Sequence, residues 1–109
     1  METIKQGGLF QRTLPIPIEY PDGFFASYTP LGQVRVKRDH RIFLANLSFV
    51  WLDPVTTRFL TISVNSALTQ LWPLADIVVD LRFVSPQGNI VDVQNFAEYR
   101  VIRPVTEIL

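Results

Sequence analysis

The sequence predicts an all-β protein, and within that class an immunoglobulin-like β-sandwich. Apolar residues recur at every second position through most of the chain, which is the period of a strand whose side chains alternate between two faces. Turn-forming residues interrupt these segments every ~8–12 residues. The 109 residues suffice for one domain with one hydrophobic core. We therefore expect roughly six to eight short antiparallel strands in a single domain spanning 1–109, with a small barrel as the alternative.

The N-terminal region combines a glycine pair with a proline-containing strand. Gly7-Gly8 separates residues 1–8 from the rest, and we expect those residues to form a flexible or docking arm. Deleting them should then leave the fold intact but weaken assembly. The segment Phe10–Tyr20 alternates, but Pro15 and Pro17 cannot donate to a sheet ladder. This segment is therefore expected at a sheet edge or in an extended arm.

The middle of the chain contains an aromatic segment and the longest apolar run. Residues 24–32 include three aromatic side chains but have no clear period, which predicts a loop or a short strand. Residues 33–38 alternate again and predict a strand. The run Ile42–Leu52 is apolar on both faces. Such a pattern predicts either a central strand covered on two sides or a strand at an interface.

The second half of the chain predicts three further elements. Arg58–Val64 is expected to be a strand. Asn65 or Ser66 can then cap a single helical turn that crosses between sheets and ends before Pro73. Ala75–Val84 returns to strict alternation, and the following Ser-Pro-Gln-Gly-Asn sequence predicts a hairpin turn into a return strand.

The composition indicates more apolar surface than a typical small domain has. Hydrophobic residues make up 48% of the chain and charged residues only 18%, against about 25% in a typical protein. Partners that cover apolar surface and a simple apolar sandwich both explain this shortfall, and both remain open. A net charge of zero favours self-association. The absence of cysteine excludes disulfides and thiolate metal sites.

Residues suited to catalysis or metal binding are sparse. The single histidine, His40, adjoins Asp39, and neighbouring side chains in an extended segment point to opposite faces, which argues against a catalytic triad. Asp76 and Asp80 lie on one strand face about 13 Å apart, too far for one cation to bridge. No glycine-rich phosphate loop is present. We therefore expect no enzymatic activity, no cofactor and no metal.

Nucleic-acid and membrane partners are not expected either. The basic cluster Arg35–Arg41 could contact nucleic acid, but with zero net charge a solvated strand face is the favoured interpretation. No apolar run approaches the roughly 18 residues that span a bilayer, and no signal peptide is visible.

Three stretches carry a resemblance to a known family. The first stretch, Ile4–Phe10, is similar to an "I-x-x-G-D-T-F" opening. The second, 57–64 followed by 66–71, is similar to a "tLtLs" strand and a "saaxTaxL" turn. The third, 75–89 with 101–106, is similar to a "yxyDLxlxdpdGxv…gxxxVxxxVT" ending. In their order and spacing they resemble small tail and baseplate virion proteins of tailed bacteriophages, similar to the N-terminal attachment module of upper-baseplate proteins. Gly8 replaces the usual Asp, and 24–32 departs from the usual "DLTGY" stretch.

The resemblance implies a structural role without catalytic residues. Such a protein docks neighbouring virion subunits or fibres, in many copies within a symmetric assembly, and enters the virion in the host cytoplasm. From the residues themselves, protein–protein contacts are expected at Leu9, Phe10, Pro15, Pro17, Phe24, Phe25, Tyr28 and Trp72, and the tail 104–109 is expected to be exposed.

Two alternatives remain open. One is a carbohydrate- or receptor-binding module, in which Phe24, Phe25, Tyr28 and Trp72 form an exposed apolar platform for a glycan. The other is a decoration protein of the phage head or neck.

Overall fold

A computed structural model describes residues 2–105, except for the side chains of residues 94–96. The described chain forms eight strands and one helical turn, which confirms the all-β prediction. The elements are β1 (Glu2–Lys5), β2 (Phe10–Pro15), β3 (Thr29–Val36), β4 (Phe43–Asn46), β5 (Ser48–Trp51), β6 (Phe59–Val64), α1 (Ser66–Thr69), β7 (Asp76–Val84) and β8 (Ile90–Ile102).

The strands form two sheets. The five-stranded sheet has the order β1-β8-β7-β3-β4, and the three-stranded sheet has the order β2-β6-β5. Neighbouring strands are antiparallel except β1 and β8, which run parallel with Ile4 opposite Val101. Consecutive strands frequently lie in different sheets, so the connections repeatedly cross between the two.

One hydrophobic core receives side chains from both sheets. Alternation directs every second residue of each strand inward, and in β7 these residues are Ile77, Val79, Leu81 and Phe83, which are all buried. The three-stranded sheet contributes the buried residues Phe10, Leu60, Ile62 and Val64 to the same core.

The N-terminal residues form a sheet edge where we expected a flexible or docking arm. β1 pairs with β8 along all of its residues, and the backbone N–H of Gln6 continues the ladder to the carbonyl of Ile102 at 2.8 Å. The side chain of Ile4 is only 5% exposed and belongs to the core. Gly7 then turns the chain toward β2 with a φ of +83°, a conformation that favours glycine. Backbone pairing and burial both tie residues 2–5 to the fold.

The apolar run Ile42–Leu52 forms two edge strands, not one central strand. β4 lies at an edge of the five-stranded sheet and β5 at an edge of the three-stranded sheet. The chain crosses between them at Leu47, whose N–H donates to the carbonyl of Gly32 at 3.0 Å. The inward residues keep the same alternation across this crossing, because Ala45, Leu47, Phe49 and Trp51 all contact the core. The opposite face is apolar but exposed at Val50 and Leu52.

The connections predicted from local sequence agree with the structure. Asn65 caps α1 by accepting a hydrogen bond from the N–H of Leu68 at 3.0 Å, and α1 links the two sheets. The β7–β8 hairpin turns at Ser85–Asn89, where Gly88 has a φ of +88°. Val105, beyond β8, is exposed, and residues 106–109 of the expected tail lie outside the described residues.

Candidate docking surfaces

Three of the residues predicted at protein contacts belong to the core. Phe10 and Phe25 have no exposed surface, and Trp72 is 2% exposed. The folded chain therefore does not present these three side chains to a partner. Of the others, Leu9, Pro15 and Phe24 are exposed, and Pro17 and Tyr28 are half-buried.

The aromatic residues after β2 pack against one another. The rings of Phe24 and Tyr28 stack with centroids 5.6 Å apart, and Phe25 stacks on Phe83 of β7 at 4.1 Å. These contacts anchor the loop to the core. The four-residue glycan platform expected under the carbohydrate alternative is not formed, because Phe25 and Trp72 are inside the protein.

The outward side chains of the three-stranded sheet form a surface without charge, which we call the uncharged face. Pairing of β2 and β5 with β6 aligns these side chains in three rows. The rows are Gln11, Ser63 and Ser48; Thr13, Thr61 and Val50; and Pro15, Phe59 and Leu52, the last joined by the Leu52–Phe59 backbone hydrogen bond. None of these side chains can carry a charge.

One end of the uncharged face is apolar and exposed. Val50, Leu52 and Phe59 have exposed fractions of 65%, 64% and 49%. Toward the middle, the hydroxyl oxygens of Thr13 and Thr61 lie 2.9 Å apart and share a hydrogen bond across the strands. Because these two hydroxyls already bond each other, covering this pair costs little in lost hydrogen bonds to water.

The five-stranded sheet has the opposite character, and we call its outward side the charged face. It carries three ion pairs: Arg82–Asp92 at 2.9 Å, Lys37–Glu98 at 2.8 Å and Arg100–Asp76 at 2.9 Å.

These ion pairs shift the titration of their members. The hydrogen bond from Arg100 lowers the pKa of Asp76, and the hydrogen bond to Glu98 raises the pKa of Lys37. All of these groups are at least partly open to solvent, so the pairs stabilise the fold only weakly. Their main effect is that positive and negative charges on this face neutralise each other.

Lys37 of the predicted basic cluster belongs to one of these ion pairs, and Arg35 and Arg41 also have partners within the chain. The guanidinium of Arg35 donates to Gln33 Oε1 at 2.6 Å and to the carbonyl of His40 at 2.9 Å. Arg41 pairs with Asp39 at 3.0 Å, and this hydrogen bond lowers the pKa of the Asp39 carboxyl. Cations partnered within the chain are typical of a solvated strand face.

The described part of the chain contains no cluster of metal-binding side chains. His40 is exposed in the β3–β4 loop. No group of three or more histidine, aspartate or glutamate side chains within residues 2–105 converges to hold a metal ion. Among the same residues, no helix is long and apolar enough to cross a membrane.

An open groove of about 640 Å³ follows the first half of β3, where β4 leaves the sheet. Leu47 and Phe49 contribute apolar surface to it, and Asp80 and Arg82 contribute charged side chains. Pro30 lines the same groove and lacks a backbone N–H, so this stretch of β3 is a poor template for another strand.

Within residues 2–105, no strand pairs with the outer edge of β5. Leu52 donates to the carbonyl of Phe59 at 3.1 Å, and hydrogen-bonded residues alternate along an antiparallel pair. The backbone N–H and C=O groups of Ser48 and Val50 therefore also form hydrogen bonds with β6. By the same alternation, the N–H and C=O groups of Phe49 and Trp51 point away from β6, toward the edge.

Sequence reasoning missed the uncharged face, although one signal marks both this face and β5, which lies in the run expected to be a central strand or a strand at an interface. No aspartate, glutamate, lysine or arginine occurs from 42 to 52 or from 59 to 75. These two gaps contain β4, β5, β6 and α1. A count of charge-free stretches would have identified these surfaces where a search for unperiodic aromatic residues did not.

No known protein family and no curated protein matches the chain.

Proposed function

We propose that the chain is a non-enzymatic structural virion protein of a tailed bacteriophage. It acts as a component or adaptor of the tail or baseplate and docks neighbouring subunits or fibres. One observation carries the proposal: the two sheets present different outer surfaces. The charged face pairs its charges with one another, whereas the uncharged face exposes Val50, Leu52 and Phe59.

The strand order supports an immunoglobulin-like β-sandwich as the scaffold. Lettered in chain order as A, B, C, C′, D, E, F and G, the sheets read A-G-F-C-C′ and B-E-D. Immunoglobulin domains place B, E and D in one sheet and C, F and G in the other, with C′ beside C in the variable type. A core shared by both sheets is what face-to-face packing of the two produces.

The uncharged face supports docking because its exposure to water is unfavourable. Removing apolar surface from water contributes about 25 cal/mol per Å². Burial of charged groups would offset that gain through desolvation, but this face carries none. A partner that covers Val50, Leu52 and Phe59 therefore gains hydrophobic energy without an electrostatic penalty.

The sequence resemblance supports the class of partner. Stretches similar to phage tail and baseplate proteins run through most of the chain, including β1, β6, α1 and the β7–β8 hairpin. Other virion proteins are therefore the proposed partners, and the virion is the proposed location.

The test uses the phage or induced prophage that carries the gene. Mass spectrometry of purified virions, and of tails separated from heads, should detect the chain in the tail fraction. A gene-deleted phage is then complemented with Phe59→Asp, which places a charge on the uncharged face, or with the control Ile90→Asp. Ile90 is similarly exposed, at 54%, but lies in the five-stranded sheet.

We expect incorporation of Phe59→Asp into tails to fall at least tenfold and incorporation of Ile90→Asp to match the native chain. Absence of the protein from purified virions would overturn the proposal. Its recovery with heads alone would contradict the tail assignment, and equal incorporation of both variants would contradict the uncharged face as the contact.

A further inference from the structure

We propose that β5 pairs with β5 of a second copy of this chain, antiparallel and across a twofold axis at Val50. The two three-stranded sheets then become one continuous sheet of six strands. This inference deepens the docking role proposed above and rests on it, because it assigns a specific occupant to the β5 edge.

The β5 edge lacks the charged residues, the proline and the register shift that occur at the other edges. β1 carries the charged residues Glu2 and Lys5, and β2 ends in Pro15, whose nitrogen faces the free side. β4 pairs with β3 through an irregular register between Val34 and Arg35. The residues Ser48–Trp51 contain no proline, no charge and no register shift in their pairing with β6.

The number of open backbone groups fits a twofold pairing. Phe49 and Trp51 each direct one N–H and one C=O away from β6, as the alternation from the Leu52–Phe59 hydrogen bond requires. With the axis at Val50, Phe49 of one copy lies opposite Trp51 of the other. Each such pair exchanges two hydrogen bonds, so all of these open groups are satisfied.

Pairings of the two β5 strands shifted by two residues from this register would leave backbone N–H or C=O groups without a hydrogen-bond partner. A shift by two residues in one direction places Trp51 opposite Leu47, whose N–H already donates within its own chain at 3.0 Å. The opposite shift places Phe49 opposite Asp53, whose carbonyl already accepts from Thr57 at 2.9 Å. The register centred on Val50 is the one that avoids both conflicts.

The side chains are also self-complementary. Val50 meets Val50 of the second copy as a non-hydrogen-bonded pair, the arrangement with the closest side chains, about 4.5 Å between Cα atoms. Ser48 lies opposite Leu52 of the second copy. A twofold contact brings like residues together, and like charges directly opposite are unfavourable. A segment free of charge from 42 to 52 meets no such penalty, which favours a second copy as the occupant.

The first test is register-specific crosslinking. The native chain has no cysteine, so each variant carries a single thiol. Val50→Cys should form a disulfide-linked dimer under mild oxidation, because facing residues of such a pair lie within disulfide range. Ser48→Cys is the matched control, since the two thiols would be about 14 Å apart along the strands. We expect at least fivefold more dimer from Val50→Cys, and equal yields would overturn the register.

The second test measures amide exchange in the native protein across a concentration series. Light scattering should show the mass rising from 12.5 kDa toward twice that value. In parallel, the Phe49 and Trp51 amides should become at least tenfold more protected, whereas the Val50 amide is protected throughout by its bond to β6. Val50→Lys should remain monomeric with a native spectrum, because two lysines would face each other across the axis.

A strict monomer at every concentration would overturn the pairing. A dimer in which the Phe49 and Trp51 amides stay unprotected would also overturn it, and would assign the contact to the uncharged face. Neither result touches the proposed function, which stands or falls on incorporation of the chain into virions.

Discussion

At the scale of single residues, Gly32 permits the chain to cross between the sheets. A Cβ at this position would lie 2.6 Å from the backbone oxygen of Asp80 and 2.8 Å from Leu47 Cδ1. Both are too close for a carbon atom, and the first belongs to the main chain of β7, which cannot move without disturbing the ladder. The absence of a side chain at Gly32 thus allows Leu47 to enter the core beneath β3.

We therefore expect Gly32→Ala to destabilise the fold by about 1–3 kcal/mol, the usual cost of overpacking. Urea unfolding followed by tryptophan fluorescence measures the change. Gly88→Asn is the control, because Gly88 has open space around it and asparagine tolerates its φ of +88°. A Gly32→Ala protein as stable as the Gly88→Asn protein would show that the crossing tolerates a methyl group.

Single-residue exposure was the property that the sequence predicted least well. Phe25 and Trp72 occur in segments without a period, and we expected such aromatic residues at the surface. Both are buried, because a loop that folds back over a sheet inserts its largest apolar side chain into the core. Alternation predicts the direction of a side chain only within a strand, so it carried no information for these two residues.

At the scale of elements, β1 determines how the N-terminal segment behaves. The strand extends the five-stranded sheet through parallel pairing with β8, and its central side chain, Ile4, is buried. A short edge strand is held by its backbone ladder and by the few side chains that it buries. Ile4 is therefore the residue through which β1 contributes to the core.

We predict that Ile4→Ala lowers the free energy of unfolding by about 2 kcal/mol or more, the lower end of the range for buried isoleucine. Thr3→Ala, at the adjacent exposed position, should change it by less than about 0.5 kcal/mol. Chemical denaturation of both variants measures these changes in the free energy of unfolding. Equal stability of the two would mean that residues 2–5 behave as the free arm that the glycine pair predicts.

Elements marked by a local pattern could be predicted from sequence, whereas the division of the long apolar run could not. β7, its hairpin turn and the Asn65 cap of α1 are local patterns, and the structure agrees with them. The split of 42–52 into two edge strands depends on a contact with Gly32, ten or more residues earlier in the chain. A continuous apolar run carries no mark of such a crossing, so the pairing partners of its two halves could not be read from it.

At the scale of the whole molecule, charge is divided between the two sheets. The charged face holds three ion pairs, whereas the uncharged face and the β5 edge hold no ionisable side chain. With a net charge of zero, the molecule has little long-range field to steer or repel a partner. Its association should consequently depend on short-range apolar contact and backbone pairing.

This division predicts that association is insensitive to salt. Salt at 0.1 M screens charges beyond about 10 Å and weakens contacts made by exposed ion pairs. We expect the dissociation constant of the self-association to change less than about twofold between 0.05 and 0.5 M sodium chloride, since no charge lies in the contact. Sodium sulfate should strengthen association, because it favours the burial of apolar surface. Sedimentation equilibrium in both salts measures these constants. A tenfold weakening in sodium chloride would place the contact on the charged face, where the Lys37–Glu98 and Arg100–Asp76 pairs lie.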